Sequence, residues 1–342
     1  MEYRVLGRTG VKVSSLCLGG MMFGSWGNQD REDCARIIQR ALDAGINFID
    51  TADVYSAGQS EEIIGGALAR AGARDRVVLA TKAHGQMGED PNQQGNSRRW
   101  IVQEVDASLR RLGTDWIDLY QIHRPDPTTD IDETLGALTD VVRAGKVRYI
   151  GSSTFPAYRI VEAQWAAERR LRERFVCEQP PYSILVRGVE AEVLPVCQKY
   201  GMGVITWSPL AGGWLSGRYR KDREIPESRR SARIPARYDM ALDVNHHKLE
   251  IADQLAKMAE KAGLSLIELS VAFVLHHPAV TSAIIGPRTM EHLESQLTAA
   301  DVRLDQDVLD RIDEIVPPGV TLNAADAGWQ EPALQDPSLR RR

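Results

Sequence analysis

Four side chains with complementary acid–base chemistry occur along the first part of the chain: a carboxylate, a phenol, an ammonium and an imidazole, at Asp50, Tyr55, Lys82 and His123. A free phenol is a weak acid, with a reference pKa of about 10, and a neighbouring ammonium favours the phenolate. In such a set Asp50 would hold Lys82 in place and His123 would orient the proton acceptor. The set suits proton transfer to or from an oxygen atom, as the reduction of a carbonyl requires.

Short apolar segments that resemble buried strands precede these residues. The clearest is residues 46–49, an apolar and partly β-branched run that is followed at once by Asp50 and then by Tyr55. A carboxylate at the edge of a core costs free energy unless it is paired, so Asp50 requires a cationic or hydrogen-bonding partner. We expect that partner to come from the end of another strand.

Strand-like and helix-like patterns alternate along the chain after a predicted hairpin over residues 3–13. The predicted core strands are residues 16–18, 46–49, 77–80, 117–122, 147–150, 175–178, 203–207 and 281–285. The predicted helices lie near residues 30–44, 60–71, 99–112, 131–144, 156–172, 190–200, 247–262 and 289–300. Alternating strands and helices predict a parallel sheet, and eight such units are the number that closes a TIM barrel.

A doubly wound open sheet is the alternative architecture. No GxGxxG motif follows any predicted strand, which favours the closed barrel. We therefore predict an α/β protein with one (β/α)8 barrel domain over residues 1–316, an N-terminal β-hairpin, and long loops at the C-terminal face. Residues 217–245, rich in Arg, Ser and Pro, are predicted to form one such loop, and residues 317–342 a C-terminal tail.

Composition restricts the class of protein. Hydrophobic residues make up 43% of the chain and the net charge is −5, which gives no reason to expect nucleic-acid or anionic-membrane binding. The four cysteines lack CxxC spacing, the polar start lacks a signal peptide, and no apolar run reaches the about 20 residues of a membrane span. We expect a cytoplasmic protein, and nothing in the sequence indicates an oligomer.

Other site chemistries find little support in the spacing of residues. The pairs His246-His247 and His276-His277 look like metal ligands, but adjacent residues on a helix point about 100° apart, so we predict no metal site. No tyrosine is followed by Lys at Tyr-x-x-x-Lys spacing, and no GxxxxGK[ST] phosphate loop occurs.

In the order and spacing of its motifs, the chain resembles the aldo-keto reductase superfamily. The motifs are LGRTGVKVSSLCLGG, DTADVY, ATK, DLYQIHRPD, GSSTF, EQPPYS, WSPLAGGWLSGR and IIGPRTMEHLESQ, and they extend over nearly the whole chain. The resemblance implies a barrel that binds extended NADPH over the strand ends and transfers a hydride from nicotinamide C4 to an aldehyde or ketone. It also implies that Tyr55 is the proton donor, that Lys82 and Asp50 tune it, and that His123 orients the carbonyl or relays a proton.

The same resemblance implies the cofactor contacts. Ser153 and Gln179 would bind the carboxamide and Trp207 would stack on the nicotinamide, with further contacts from Gly20, Met21 and Asp50. The pyrophosphate would be enclosed by Ser208, Leu210, Gly212, Gly217 and Arg218, and the adenosine end by Gly286, Arg288, Thr289, His292, Ser295 and Gln296. Arg288 offers a fork for a 2′-phosphate, which favours NADP over NAD.

The chain departs from the family's frequent pattern at three positions. Gly20 stands where many relatives have Thr, Thr154 where many have Asn, and His292 where Gln or Arg is frequent. Structural roles also remain open for two predicted contacts: Trp207 as a core residue, and Arg288 as the ion-pair partner of Glu291 or Glu294 on its own helix.

Two alternative functions stay open. One is an NADPH-binding regulatory or sensor subunit with little turnover, like the barrel subunits of potassium channels, which resemble the same family. The other is a reductase of nucleotide-linked keto sugars, in which the diphosphate would bind arginines at 218, 220, 223, 229, 230 and 233. Under either reductase hypothesis the binding partner is a small carbonyl substrate. Its identity would be set by the loops at 23–29, 84–98 and 217–245 and by the tail. Trp26, Trp214 and Trp329 are the aromatic candidates for that selection, and residues 98–100 are either a helix start or pocket wall.

Overall fold

Eight parallel strands close into a barrel in the computed structural model, which describes residues 1–225 and 229–341, with the side chains of residues 229 and 230 not included. Strands that follow one another in the chain are neighbours in the barrel, and the last pairs with the first, Ala283 opposite Leu16. The strands are β3 (Leu16–Gly19), β4 (Phe48–Asp50), β5 (Val78–Ala83), β6 (Ile117–Ile122), β7 (Val147–Ser153), β8 (Cys177–Gln179), β9 (Gly203–Thr206) and β10 (Ser282–Ile285). The predicted TIM barrel is confirmed.

An N-terminal hairpin closes the lower end of the barrel. Strands β1 (Tyr3–Val5) and β2 (Lys12–Ser14) pair antiparallel, as predicted, and Leu6 and Val13 join the apolar cluster inside the barrel. Gly7 lies so close to the start of β9 that a Cβ atom there would come within 2.8 Å of the Gly203 amide nitrogen. The hairpin therefore covers the N-terminal end of the barrel.

Helices cover the outside of the barrel, and their buried faces form the main core. In chain order they are α1 (Arg31–Asp43), α2 (Gln59–Ala71), α3 (Arg98–Leu112), α4 (Ile131–Arg143), α5 (Ala157–Arg170), α6 (Val193–Tyr200), α7 (Arg229–Arg233), α8 (Asp243–Lys261), α9 (Leu266–His276), α10 (Met290–Leu297), α11 (Gln306–Ile315) and α12 (Pro332–Gln335). The sequence prediction missed α9 because that helix is buried on nearly every side and lacks an amphipathic period. Its capping box, Ser265 with Glu268, was the available signal.

The segment predicted as a long loop, residues 217–245, is partly structured. It contains α7, and α8 starts at Asp243 rather than near residue 247. Trp214 and Tyr219 stack with ring centroids 4.3 Å apart, and Tyr238 lies parallel to Trp214 at 6.0 Å. Trp214 is fully buried in this cluster, so its role is to pack the segment onto the barrel and not to line a pocket.

The C-terminal tail crosses the open face of the barrel. Thr321 forms a bridge with Val186, and Asn323 donates to the side-chain oxygen of Asn245 over 3.0 Å. Further on, Asp326 accepts from the buried Lys248 ammonium at 2.6 Å. These contacts fix residues 321–326 beside the long segment just described.

A buried ion network lies between α2, α3 and β5. Arg111 donates to Glu61 at 2.6 Å and also to Glu104, and Thr81 donates to the other Glu61 oxygen at 2.6 Å. Both carboxylates are almost inaccessible to solvent. Asp53 lies nearby, and burial together with Glu104 and Glu61 raises its pKa well above the ordinary value. One arginine therefore balances a cluster of carboxylates in the layer between helices and barrel.

The adjacent pair His276 and His277 makes hydrogen bonds within the fold. His276 accepts from the Leu304 amide at 3.3 Å and His277 from the Ala279 amide at 3.2 Å. All four cysteines are buried free thiols. Residues 1–225 and 229–341 hold no cluster of side chains placed to share a metal ion. No helix in the same ranges has the length and apolar character to cross a bilayer.

Candidate active site

The barrel interior changes from apolar to polar over two residues. The lower layer consists of Cys17, Phe48, Ala80, Leu119, Cys177, Ile205 and Ile284. Side chains that point inward recur every second residue along a strand. The next inward positions on five of these segments are Asp50, Lys82, Gln121, Gln179 and Trp207. The strand period therefore delivers a ring of polar groups to the open face.

Asp50 is the centre of this polar ring. One carboxylate oxygen accepts from the Lys82 ammonium at 2.6 Å, and the other accepts from Gln121 at 3.0 Å and Gln179 at 2.8 Å. Lys82 also donates to the Thr51 carbonyl at 2.7 Å. Both charged groups are buried, so the pair is held by complete hydrogen bonding. Asp50 thus has the cationic partner that the sequence analysis required.

Tyr55 lies over this pair on the loop that follows β4. Three consecutive residues after it, Ser56, Ala57 and Gly58, have φ of 53°, 54° and 89°, which turns the chain sharply back into α2. The Lys82 ammonium lies 5.1 Å from the centroid of the Tyr55 ring, and the His123 ring meets it edge-on at 5.7 Å. The structure therefore brings Asp50, Tyr55, Lys82 and His123 together; their catalytic roles stay a prediction.

The electrostatic state of two of these groups follows from their surroundings. Burial lowers the pKa of Lys82, but Asp50 and Tyr55 outweigh it and leave that pKa above its ordinary value. Burial, Arg124 and Lys82 hold the pKa of His123 well below its ordinary range. At neutral pH the site therefore contains a charged ammonium beside a neutral imidazole.

The residues predicted to hold a nicotinamide lie next to this group. Ser153 donates to the Gln179 carbonyl at 2.9 Å, and both side chains are buried at the ends of β7 and β8. Trp207 is only partly buried, which argues against a pure core role, and its indole nitrogen lies 3.4 Å from the Thr154 hydroxyl. A Cβ atom at Gly328 of the tail would come within 2.6 Å of the Trp207 ring, so the tail covers part of that ring.

Gly20 and Met21 follow β3 at the same face. The Gly20 carbonyl accepts from Ser60 at 2.8 Å, and a Cβ atom at Gly20 would lie 2.6 Å from Ile64. A side chain at this position would require the terminal methyl group of Ile64, on α2, to shift. Met21 is half-exposed.

The segment predicted to enclose a pyrophosphate has an unusual backbone. Ser208, Ala211, Gly212 and Gly217 all have φ between 47° and 81°. Ala211 and Gly212 are adjacent, and turns of this kind can direct main-chain amides toward a common side, a geometry that suits anions. Leu210 lies among them, and Arg218 follows with no ion pair among the described residues.

The residues predicted for an adenosine end surround the start of α10. Thr289 caps this helix by accepting from the His292 amide at 3.3 Å, and both Ser295 and Gln296 donate to the His292 carbonyl. Burial, Arg288 and Arg218 lower the pKa of His292. Gly286, just before this group, is exposed.

Arg288 remains available at this end of the site. It is exposed, and no carboxylate in the described ranges pairs with it. Glu294, one of the partners considered from the sequence, instead pairs with Arg40 at 2.7 Å. Arg218 and Arg288 therefore form a basic edge beside α10.

The sequence analysis overlooked Gln121, which supplies the third hydrogen bond to Asp50. It lies two residues before His123 on β6, so the alternation of the strand was a usable signal. Arg124 and Glu178 were also missed, and no local pattern distinguishes them.

The arginines proposed for a diphosphate are not all available to bind one. Arg220 forms ion pairs with Asp253 at 2.9 Å and Glu260 at 2.7 Å, and the side chains of residues 229 and 230 lie outside the described part of the structure.

The aromatic candidates for substrate selection are separated by the structure. Trp26 lies 6.0 Å from Tyr55 between ring centroids, and the Arg233 guanidinium lies over the Trp26 ring, 4.2 Å from its centroid. Trp329 lies 6.0 Å from the Arg159 guanidinium on the tail side. Residues 98–100 form the first turn of α3, with Trp100 buried, so they are a helix start.

Glu178 is a buried carboxylate immediately behind the site, on β8. It accepts from the Ser152 hydroxyl and from the Phe155 amide at 3.1 Å. Burial raises its pKa to about 7, from an ordinary value of 4.5. Between those two pH values the folded protein keeps a proton that the unfolded chain releases, so stability falls as the pH rises.

The Glu178→Gln variant should remove that pH dependence. The free energy of unfolding of the variant relative to the wild type should rise by about 3 kcal/mol as the pH increases from below 4.5 to above 7. Urea unfolding at a series of pH values measures this difference. Glu168→Gln, on the exposed face of α5, is the control without pH dependence. A constant difference for Glu178→Gln would show that the carboxyl group ionises normally.

Together, the closed parallel barrel and the polar ring at its open face define an α/β-barrel protein with acidic and basic side chains clustered at one end. The Aldo/keto reductase family model matches residues 15–317, so the chain belongs to the aldo/keto reductase family. It is 42% identical to the uncharacterized oxidoreductase YrpG of Bacillus subtilis over 93% of this chain and 96% of that protein. It is 37% identical to a probable voltage-gated potassium channel subunit beta of Arabidopsis thaliana, over 92% and 97%.

A third relative is named for an enzymatic activity. The versiconal hemiacetal acetate reductase of Aspergillus parasiticus is 34% identical over 92% of this chain and 96% of its own length. The chain is therefore an oxidoreductase of this family.

Proposed function

We propose that the protein reduces an aldehyde or ketone to an alcohol with NADPH. The observation that carries the proposal is the convergence of Tyr55, the Lys82–Asp50 pair and a neutral His123 at the open end of the barrel. A reductase needs a proton donor at the carbonyl oxygen and a group that orients that oxygen.

Each of these residues has a definite task in the proposed reaction. Tyr55 donates its hydroxyl proton to the carbonyl oxygen. Lys82 stabilises the phenolate that remains, and Asp50 keeps the ammonium charged and in position. His123, being neutral, offers a ring N–H to the carbonyl oxygen and adds no further charge. Bound NADPH supplies the hydride.

The residues along the open face fit this cofactor. Trp207 offers a partly exposed aromatic surface for a flat ring, and the polar ends of β7 and β8 lie beside it. The left-handed residues within segment 208–217 suit a pyrophosphate. Arg218 and Arg288 suit a further phosphate, because neither has an ion-pair partner in the described ranges.

The oxidation of NADPH in the presence of nitrobenzaldehyde, methylglyoxal and simple keto sugars tests the proposal. We expect turnover of at least one of these carbonyl compounds, measured as the loss of the absorbance of reduced nicotinamide. NADPH that binds, as detected by quenching of tryptophan fluorescence, without any turnover would argue against a reductase.

The choice of NADPH over NADH should depend on Arg288. In Arg288→Ala the ratio of kcat/KM for NADPH to that for NADH should fall by about 10- to 100-fold, the size expected for a charged hydrogen bond. Arg143→Ala, at the exposed far end of α4, is the matched control. An unchanged ratio in Arg288→Ala would place the 2′-phosphate elsewhere.

The similarity to a probable potassium channel subunit beta supports a second candidate, an NADPH-binding regulatory subunit with little turnover. The two candidates differ in the fate of the bound cofactor. A regulatory subunit would exchange bound NADPH with free NADP slowly, whereas a reductase would exchange it rapidly.

A further inference from the structure

The Arg124 guanidinium lies beside the predicted catalytic residues. It donates to the carbonyl of its neighbour His123 and to the Thr154 hydroxyl, the latter over 3.2 Å. Its centre lies 6.0 Å from the centroid of the Trp207 ring. Burial lowers the pKa of Arg124 while Tyr55 raises it, so the guanidinium and the phenol interact electrostatically. Arg124 thus borders the space where a carbonyl substrate would meet Tyr55 and His123.

Arg124 has no carboxylate partner within 4.0 Å among the described residues. Asp126, two positions on, accepts instead from hydroxyls and amides of its own loop and from the Asn96 amide. Asp326 on the tail is bound by the Lys248 ammonium. Glu178 is only partly ionised at neutral pH, because burial raises its pKa to about 7. Arg124 therefore has no ion-pair partner in the described ranges, and the partly ionised Glu178 balances its charge only in part.

A partly buried guanidinium whose charge is only partly balanced is unfavourable unless an anion binds to it. The two side-chain hydrogen bonds of Arg124 use a single terminal nitrogen, out of a fork of five N–H donors. Such a planar fork matches the two oxygens of a carboxylate.

We propose that Arg124 binds a carboxylate carried by the substrate, and that the preferred substrates are aldehydes or ketones bearing an acid group. This inference rests on the proposed reductase function. A cofactor phosphate is a less suitable partner, because the segments suited to phosphate are Ser208–Gly217 and the start of α10, whereas Arg124 is held against His123 and Thr154.

Matched pairs of substrates test the charge requirement directly. Ortho-, meta- and para-carboxybenzaldehyde are each compared with their methyl esters, which keep the ring and the aldehyde but lose the charge. The wild type should show a higher kcat/KM for at least one acid than for its ester. In Arg124→Gln the acid-to-ester ratio should fall by about 10- to 100-fold, and Arg124→Lys should recover part of it. Arg169→Gln, on the exposed face of α5, should keep the wild-type ratio.

An equilibrium measurement separates this inference from the reductase proposal. Benzoate should bind to the NADP-loaded protein and change its tryptophan fluorescence, methyl benzoate should bind more weakly, and Arg124→Gln should lose the difference. This binding is expected even if none of the aldehydes is reduced, an outcome that would overturn only the reductase proposal.

The role of Arg124 would be overturned by equal kcat/KM for every acid and its ester, by an unchanged ratio in Arg124→Gln, or by equal binding of benzoate and methyl benzoate. A larger loss of NADPH affinity than of benzoate affinity in Arg124→Gln would assign the guanidinium to the cofactor instead, and would also overturn it.

Discussion

The Tyr55→Phe variant should reduce aldehydes about 10²- to 10⁴-fold more slowly than the wild type, the usual contribution of a positioned proton donor. Phenylalanine keeps the ring that packs against His123 and Lys82 but removes the hydroxyl. Because the proton is needed only as the transition state forms, kcat and kcat/KM should fall together. NADPH binding, measured by tryptophan fluorescence, should remain close to that of the wild type.

Tyr3→Phe is the matched control for this change. The Tyr3 hydroxyl donates to the Gly45 carbonyl at 2.8 Å on the N-terminal hairpin, at the closed end of the barrel. Its loss should leave aldehyde reduction unchanged. If Tyr55→Phe retained wild-type kcat, another group would have to supply the proton, and the assignment of the site would fail.

The second large effect should be on stability. Arg111→Met should lower the free energy of unfolding by about 3–5 kcal/mol at neutral pH, since it leaves Glu61 and Glu104 buried without their cation. Without Arg111, both carboxyl groups should release their protons at higher pH in the folded state than in the unfolded chain. Stability of the variant should therefore fall further as the pH rises. Urea unfolding at acidic and neutral pH measures both effects.

Two comparisons make that measurement specific. Arg110→Met, the exposed neighbour on α3, should change stability by less than about 0.5 kcal/mol. Adding Glu61→Gln and Glu104→Gln to Arg111→Met should restore part of the lost stability, because neutral amides need no cation. Equal losses in Arg110→Met and Arg111→Met would show that the buried network contributes nothing beyond a surface charge.

The same network supports the loop that carries Tyr55. A Cβ atom at Gly58 would lie 2.6 Å from the Arg111 side chain, so the end of this loop rests directly on the arginine. Thr81, which hydrogen-bonds Glu61, is the residue before Lys82 on β5. We therefore expect kcat of Arg111→Met to be lower than that of the wild type even at urea concentrations at which the variant is still folded. The reason is that the loop carrying Tyr55 and the strand carrying Lys82 both pack against the lost network.

Much of the fold could be predicted from the sequence because its signals are local. The apolar runs, their two-residue alternation and the helical patterns between them predicted all eight barrel strands and the hairpin. The same alternation places Asp50 and Lys82 inside the barrel at the open end. The buried helix α9 was not predicted, because a helix that is covered on all sides has no polar face and so shows no amphipathic period.

The partners of each side chain, in contrast, were decided only by the tertiary structure. Gln179 reaches Asp50 across 129 positions of sequence, and Glu294 pairs with Arg40 rather than with Arg288 on its own helix. Burial, which makes His123 neutral and keeps a proton on Glu178 up to about pH 7, also depends on what packs around a residue.

Sequence alone therefore determined which chemical groups reach the open end of the barrel, because strand geometry repeats every two residues. Distances between strands far apart in the chain decided which of those groups are paired and which are neutral. The same distances leave Arg124 without an ion-pair partner among the described residues. Hydrogen bonds and desolvation act over a few ångströms, so only the folded chain fixes them.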